Sequence, residues 1–129
     1  MYAMHQCAHF SANPRQPHAS AVKWLGRYLK GTKDKGMILK PTGMSFDVYV
    51  NADFAGNWKQ SEADSRDTTC SRHGYIITYA SCPILWASQL QTEIALSSTE
   101  SEFIGLSTAL RATVPIMELV KELSQGPRF

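Results

Sequence analysis

The stretch from Ser97 to Gly126 constrains the fold more than any other part of this sequence. Ser97-Ser98-Thr99-Glu100 has the S-x-x-E form of a capping box, in which a hydroxyl and a carboxylate satisfy the free N–H groups of a helix start. Beyond it, Phe103, Leu106, Leu110, Val114, Met117 and Val120 recur at helical spacing along one stripe out to about Leu123, and Gly126 and Pro127 end the run. Pro115 falls inside the pattern and is expected to kink or split the helix near Ala112–Val114, because it lacks an N–H and crowds the preceding turn.

Upstream of this helix the period changes from 3.6 to 2. FDVYVNADF (46–54) alternates, with Phe46, Val48 and Val50 on one face of a strand and Asp47, Tyr49, Asn51 and Asp53 on the other. Gly74–Ala80 and Ile84–Ala87 are rich in β-formers and separated by Ser81-Cys82-Pro83, which predicts a hairpin. Glu93–Leu96 reads as a weaker strand, and 57–72 as a polar loop.

Ahead of the strands lies a helix of different character. After Pro17, Ala21, Val22, Trp24, Leu25, Tyr28 and Leu29 fall at helical spacings, Lys23, Arg27 and Lys30 form a separate stripe, and Gly31 is placed as the C-cap. Met37–Leu39 is expected to be a short strand, followed by a turn at Pro41-Thr42-Gly43. The order is helix, three or four strands, long helix: an α/β (α+β) arrangement.

Charge follows the same division. Residues 15–40 carry seven basic side chains against Asp34 alone, a net of +6, while the rest of the chain carries −4, so the overall +2 conceals a strong asymmetry. The basic stripe is either a solvated helix face or a contact for a polyanion. With 43% hydrophobic and 19% charged residues, the composition excludes disordered, collagen-like and coiled-coil classes. No run approaches ~18 uninterrupted apolar residues, so no membrane span and no membrane partner is expected. The N-terminus lacks a signal-peptide core, so the expected compartment is cytoplasmic or nuclear rather than secretory. Cys7, Cys70 and Cys82 are read as free thiols. His5, Cys7 and His9 alternate as strand neighbours would, but no second ligand cluster follows at zinc-site spacing.

An Asp at a strand end and a Glu near the start of a following helix converge if the helix packs across the sheet, and with Mg²⁺ such a cluster hydrolyses phosphodiesters. Taken alone the pair is a weak signal, and surface salt bridging is its plainer reading. The motifs add to it. VYVNADFAGNW, SRHGYI, ILWASQLQTEIALSSTESEF and the front segment FSANPRQPHASAVKWLGRYLKGTKDKG resemble the ribonuclease H region, with its preceding connection segment, of copia-type LTR retrotransposon polyproteins. The family patterns are roughly D-[AS]-D-x-A-G, S-x-x-G-Y and W-x-S-x-x-Q-x-x-x-A-L-S-S-x-E-x-E, and the likeness spans about residues 3–125. It implies a connection segment over 1–43, with its basic amphipathic helix, and an incomplete ribonuclease H-like fold over 44–129, with antiparallel strands and a long helix. It also implies Mg²⁺-dependent cleavage of the RNA strand of RNA–DNA hybrids. The hybrid would be read by shape and backbone. The reverse transcriptase portion of the same polyprotein becomes a partner, and a virus-like particle the setting. Lys23, Arg27 and Lys30 become candidate contacts to the nucleic-acid backbone.

Carried over by residue, the family's first metal-binding Asp falls at Asn51, its second acid is Asp53, and its catalytic Glu falls at Glu102, with Gly105 as the small residue needed for close packing. Asp53 and Glu102 are the expected metal ligands. Asn51 brings no charge. Asp53 lies two residues along, ~6.6 Å by strand rise, and cannot occupy the same position. Glu100 and Glu102 lie about 200° apart on the helix, so one at most faces the site. Glu100 is also explained as the capping acid, and Glu102 could cap Thr99. His73, where the family often has Thr, reads as a lone loop histidine, and Gln89 stands where a basic residue is common. The family's next acid lies on a fourth strand beyond Phe129, which would leave the first strand with an open edge. Two readings follow: a polyprotein piece whose site is completed by other residues, with this chain inactive alone and Asn51→Asp insufficient without a C-terminal extension; or a non-catalytic, domesticated remnant with weak nucleic-acid binding.

Overall fold

A computed structural model of the chain describes residues 2–126. It divides into two compact units, one up to Leu39 and one from Lys40 onward. The first holds two helices, α1 (Tyr2–His9) and α2 (Gln16–Thr32). The second runs β1 (Phe46–Ala52), a 3₁₀ turn (Gln60–Glu62), the one-turn α3 (Arg66–Thr69), β2 (Arg72–Tyr79), β3 (Cys82–Leu90) and α4 (Ser98–Gln125).

In the first unit, HQCAH is helical rather than extended, so His5 and His9, four residues apart, share one face of α1 while Cys7 is turned to the opposite side. The α2 helix has Pro17 in its first turn, as expected, but runs past Gly31 to Thr32. Gly31 does not adopt a left-handed φ, and the Thr32 hydroxyl donates to the Tyr28 carbonyl at 2.8 Å, satisfying an acceptor within the last turn. Met37–Leu39 forms no strand: all three residues are exposed and no neighbouring strand pairs with them.

The second unit is mixed α/β, a three-stranded antiparallel sheet of order β1-β2-β3 with α4 packed on β1 and β2. Among the described residues β1 has an unpaired outer edge. The turn between β2 and β3 is Ala80-Ser81, not Ser81-Cys82-Pro83. Both residues have positive φ (51° and 65°), the geometry of a tight two-residue hairpin. Cys82 and Pro83 belong to β3, where Pro83, lacking an N–H, sits at a register shift opposite Thr78. The 57–72 stretch contains two short helical turns, and its last residue, Arg72, opens β2. Residues 93–96 form no strand; the Leu96 N–H is taken by the Glu100 carboxylate at 2.7 Å.

The core consists of Tyr75, Ile77 and Ala109, flanked by Phe46, Val48, Val50, Leu85, Ala87, Ala112 and Ile116. The expected inward set of β1 is therefore the one that packs. On α4 it is not. The buried residues are Ser101, Gly105, Ala109 and Thr113, every fourth position. The apolar stripe of Phe103, Leu106, Leu110, Val114 and Met117 lies roughly 120° round the helix and is exposed. The cause is steric. A Cβ placed on Gly105 would lie 3.1 Å from the His73 Cβ and 3.5 Å from the Ala52 Cβ, so α4 approaches the sheet too closely for large side chains.

The start of α4 keeps one half of the expected capping box: Ser97 Oγ accepts from the Glu100 N–H at 3.1 Å, while the Glu100 carboxylate takes the Leu96 N–H in place of that of Ser97. The helix is continuous across Pro115, which is exposed, so the carbonyl that it cannot serve is open to hydration. Gly126, with φ 67°, closes the helix, and Pro127 lies outside the described residues. By length and composition alone α4 is apolar enough to cross a membrane, which the count of uninterrupted apolar residues had missed; its small-residue face is nevertheless committed to the sheet. Cys7, Cys70 and Cys82 are all free thiols.

Candidate functional site

Of the residues singled out by sequence, Asn51 and Glu102 come together. They line one cavity of about 370 Å³ with Val50, Ala52, Thr99, Phe103 and Leu106, where the end of β1 meets the first turns of α4. Strand alternation sends Val50 inward and leaves Asn51 exposed. Glu102 follows buried Ser101 and is exposed. Glu100 is engaged at the cap, so Glu102 is the one of the two that faces this cavity.

Asp53 is placed differently. Its Oδ1 accepts from the Arg72 N–H at 2.6 Å and its own N–H donates to the Arg72 carbonyl at 2.8 Å, which carries the β1–β2 pairing one step past the strand end. Its carboxylate also fills the space beside Gly56, where a Cβ would come within 2.8 Å of Oδ2. This accounts physically for the D-x-A-G spacing: Asp53 ties down a loop whose Ala55 has φ 47° and whose Gly56, lacking a Cβ, leaves the Asp53 carboxylate its place.

Three polar residues not singled out by sequence hold this corner. Ser101 Oγ donates to the Asp53 carbonyl. Gln91, 2% exposed, donates Nε2 to the Ser101 carbonyl at 2.8 Å, and its N–H bonds the Ser71 carbonyl at 2.8 Å. Ser71 Oγ accepts from the Ala55 N–H at 3.1 Å. Ser71 and Gln91 belong to the quoted motifs, so their spacing was visible. Ser101 falls at a variable position of the pattern, and nothing marked it.

His73 is not in a loop. It is buried in β2 opposite Gln89, and neither ring nitrogen has a hydrogen-bond partner. Burial, and secondarily the Arg72 charge, lower its pKa below 6.5, so the imidazole is held neutral. It lies beneath Gly105 as packing and has no access to act as a base.

Among the described residues no three His, Cys, Asp or Glu side chains gather as a metal site. The cavity offers one carboxylate and one carboxamide, with Phe103 and Leu106 on its flank. Two Mg²⁺ ions require several shared carboxylates, and this set does not supply them. Lys23, Arg27 and Lys30 lie in the first unit, all exposed on α2.

In sequence, the chain is 31% identical over 122 residues to a retrovirus-related Pol polyprotein from transposon TNT 1-94 of Nicotiana tabacum, covering 95% of this chain and 9% of that protein. It is 32% identical over 123 residues to the Pol polyprotein from transposon RE1 of Arabidopsis thaliana, covering 95% and 8%. It is also 34% identical over 106 residues to secreted RxLR effector protein 161 of Plasmopara viticola, covering 81% of this chain and 69% of that one. The chain thus spans about a tenth of the length of these Pol polyproteins. No family model and no solved structure matches it.

Proposed function

We propose, from the likeness in sequence to retrovirus-related Pol polyproteins of retrotransposons, that residues from 44 onward are a copia-type ribonuclease H-like segment that engages nucleic acid but does not cleave it. The observation that carries this reading is the cavity shared by Asn51 and Glu102, the positions where the family pattern has its first Asp and its Glu. An Asn oxygen can ligate Mg²⁺ but adds no charge and bridges two cations poorly, while Asp53 is bound to the Arg72 backbone. The substrate class implied is an RNA–DNA hybrid, with Lys23, Arg27 and Lys30 as phosphate contacts and the reverse transcriptase portion of the polyprotein as partner.

The test is incubation of the purified chain with a labelled RNA–DNA hybrid and Mg²⁺. No cleavage above background is expected; Mg²⁺-dependent release of RNA fragments overturns the reading. Asn51→Asp puts two carboxylates into the cavity, where they repel unless a cation is bound. That variant should gain thermal stability on adding Mg²⁺ while the parent does not. It should still not cleave, because Asp53 remains tied to β2. A separate observation favours a second reading: the effector match places the same stretch in a short protein rather than in a polyprotein. On that reading the segment is a domesticated remnant that retains binding alone.

A further inference from the structure

The α2 helix carries more than a basic stripe. On the helical wheel Lys30, Lys23 and Arg27 follow one another within about 60°, and no acidic residue occurs between Gln16 and Thr32. Trp24 and Tyr28 lie side by side one turn apart, on the flank next to Arg27 and about 60° and 100° from it. Both rings are open to solvent, Trp24 at 72% and Tyr28 at 66% exposure. Large aromatic surfaces left bare beside three cations need an explanation that packing within the unit does not give.

The centre of the apolar face of α2 is already occupied. His18 and Leu25 there are half-buried. Phe10 stacks on His18 with ring centroids 3.9 Å apart and 17° between planes, and His18 Nδ1 accepts from the Arg15 N–H at 3.0 Å. A helix that lies in a membrane surface inserts the middle of its apolar face. Here the middle is covered and both flanks are free, Val22 and Leu29 away from the charges and the aromatic pair beside them.

We infer that α2 is a binding platform for a single strand of nucleic acid, with Lys23, Arg27 and Lys30 on the phosphates and Trp24 and Tyr28 stacked against two bases. A duplex keeps its bases stacked on one another and offers only the backbone, whereas a single strand offers both phosphates and base faces. Neither contact involves the sugar 2′ position, so RNA and DNA strands bind alike. The inference rests on the basic stripe as a phosphate contact and adds the aromatic pair to it.

The full chain is titrated with labelled oligo-dT, oligo-U, a duplex DNA, an RNA–DNA hybrid and phosphatidylserine vesicles, with the fold of each variant checked by circular dichroism. The expected result is that both single strands bind with similar affinity, more tightly than either duplex, and quench tryptophan fluorescence. Trp24→Ala and Tyr28→Ala, both at exposed positions, should each weaken single-strand binding about tenfold and leave duplex and hybrid binding unchanged. Trp24→Phe should keep most of the affinity and lose the quenching. Changing Lys23, Arg27 and Lys30 together to Ala should lower the salt slope by about 2 for single strands. Equal or tighter binding of duplexes, insensitivity to Trp24→Ala, or binding to vesicles without binding to oligonucleotides overturns the inference. Hybrid binding that survives while the aromatic substitutions have no effect removes this inference and leaves the hybrid-binding reading intact. Single-strand binding without hybrid binding does the reverse.

Discussion

The two faces of α4 have exchanged the roles that their side chains suggest. One face is Ser101, Gly105, Ala109 and Thr113, small and partly polar, and it is buried on the sheet. The other is Phe103, Leu106, Leu110, Val114 and Met117, large and apolar, and it is exposed. Burial here is decided by distance rather than by hydrophobicity. The helix backbone comes close enough to β1 and β2 that a methyl group at position 105 would already crowd His73. A face of small residues gains dispersion contacts between backbones and leaves no void, and the Thr113 hydroxyl stays satisfied by donating to the Ala109 carbonyl at 2.7 Å.

The sharpest way to break this comparison is to enlarge the small face. Gly105→Val should destabilise the second unit by about 3 kcal/mol, since the added methyls have no space to enter. The corresponding fall in Tm is about 12–24 °C for a unit of this size. Gly105→Ala should cost far less, because the higher helix propensity of Ala, about 1 kcal/mol, offsets the milder crowding. Chemical denaturation of both variants checks this, and equal stability for Gly105→Val and the parent would show that α4 does not sit on the sheet as described.

The same contact carries a pH dependence. His73, under Gly105, is held neutral by burial and by the Arg72 charge. Well above pH 6.5 the imidazole is neutral in both folded and unfolded chains and contributes nothing to the pH slope. Below 6.5 the unfolded chain takes up a proton that the folded chain resists, so stability falls as pH drops from 6.5 towards the folded pKa and levels off beneath it. Urea unfolding at a series of pH values should show this loss, and His73→Leu should flatten it. An unchanged slope in His73→Leu would assign the acid sensitivity to other groups.

How much of this was legible in the sequence depends on which residues carried the signal. The β1 alternation, the Ser97–Glu100 cap and the close approach at Gly105 could be read, because each rests on local geometry or on the size of one residue. The packing face of α4 could not, because a pattern of large apolar residues reports hydrophobicity and not the spacing between layers. Met37–Leu39 and Glu93–Leu96 have strand-forming residues, but no strand lies beside them, and pairing is a property of the fold rather than of the segment. The site was legible in part. Asn51 and Glu102, positions that came from the family resemblance rather than from spacing, line one cavity, while Asp53, an acid in the same motif, serves the backbone of Arg72.

A substitution that touches both faces equally calibrates the others. Ser97→Ala removes the hydroxyl that caps α4 and should cost about 1 kcal/mol, well below Gly105→Val and independent of which face is buried. If the two losses proved equal, the small face would be no more demanding than an ordinary helix terminus.

The smallest expected effect is the most discriminating for the exposed face. Leu110 lies in the middle of the apolar stripe, one residue from fully buried Ala109. If the stripe is free, Leu110→Ser should change stability by no more than about 0.5 kcal/mol, because the leucine loses little contact and the serine is already hydrated. Replacing a buried leucine would instead cost about 2–5 kcal/mol. The two outcomes are far enough apart for denaturant midpoints to separate them without further assumptions. A near-zero change together with higher solubility would establish that Leu110, at the middle of the stripe, adds nothing to the stability of the unit. A loss of several kcal/mol that grows with protein concentration would mean that the stripe is covered in solution by contacts between chains.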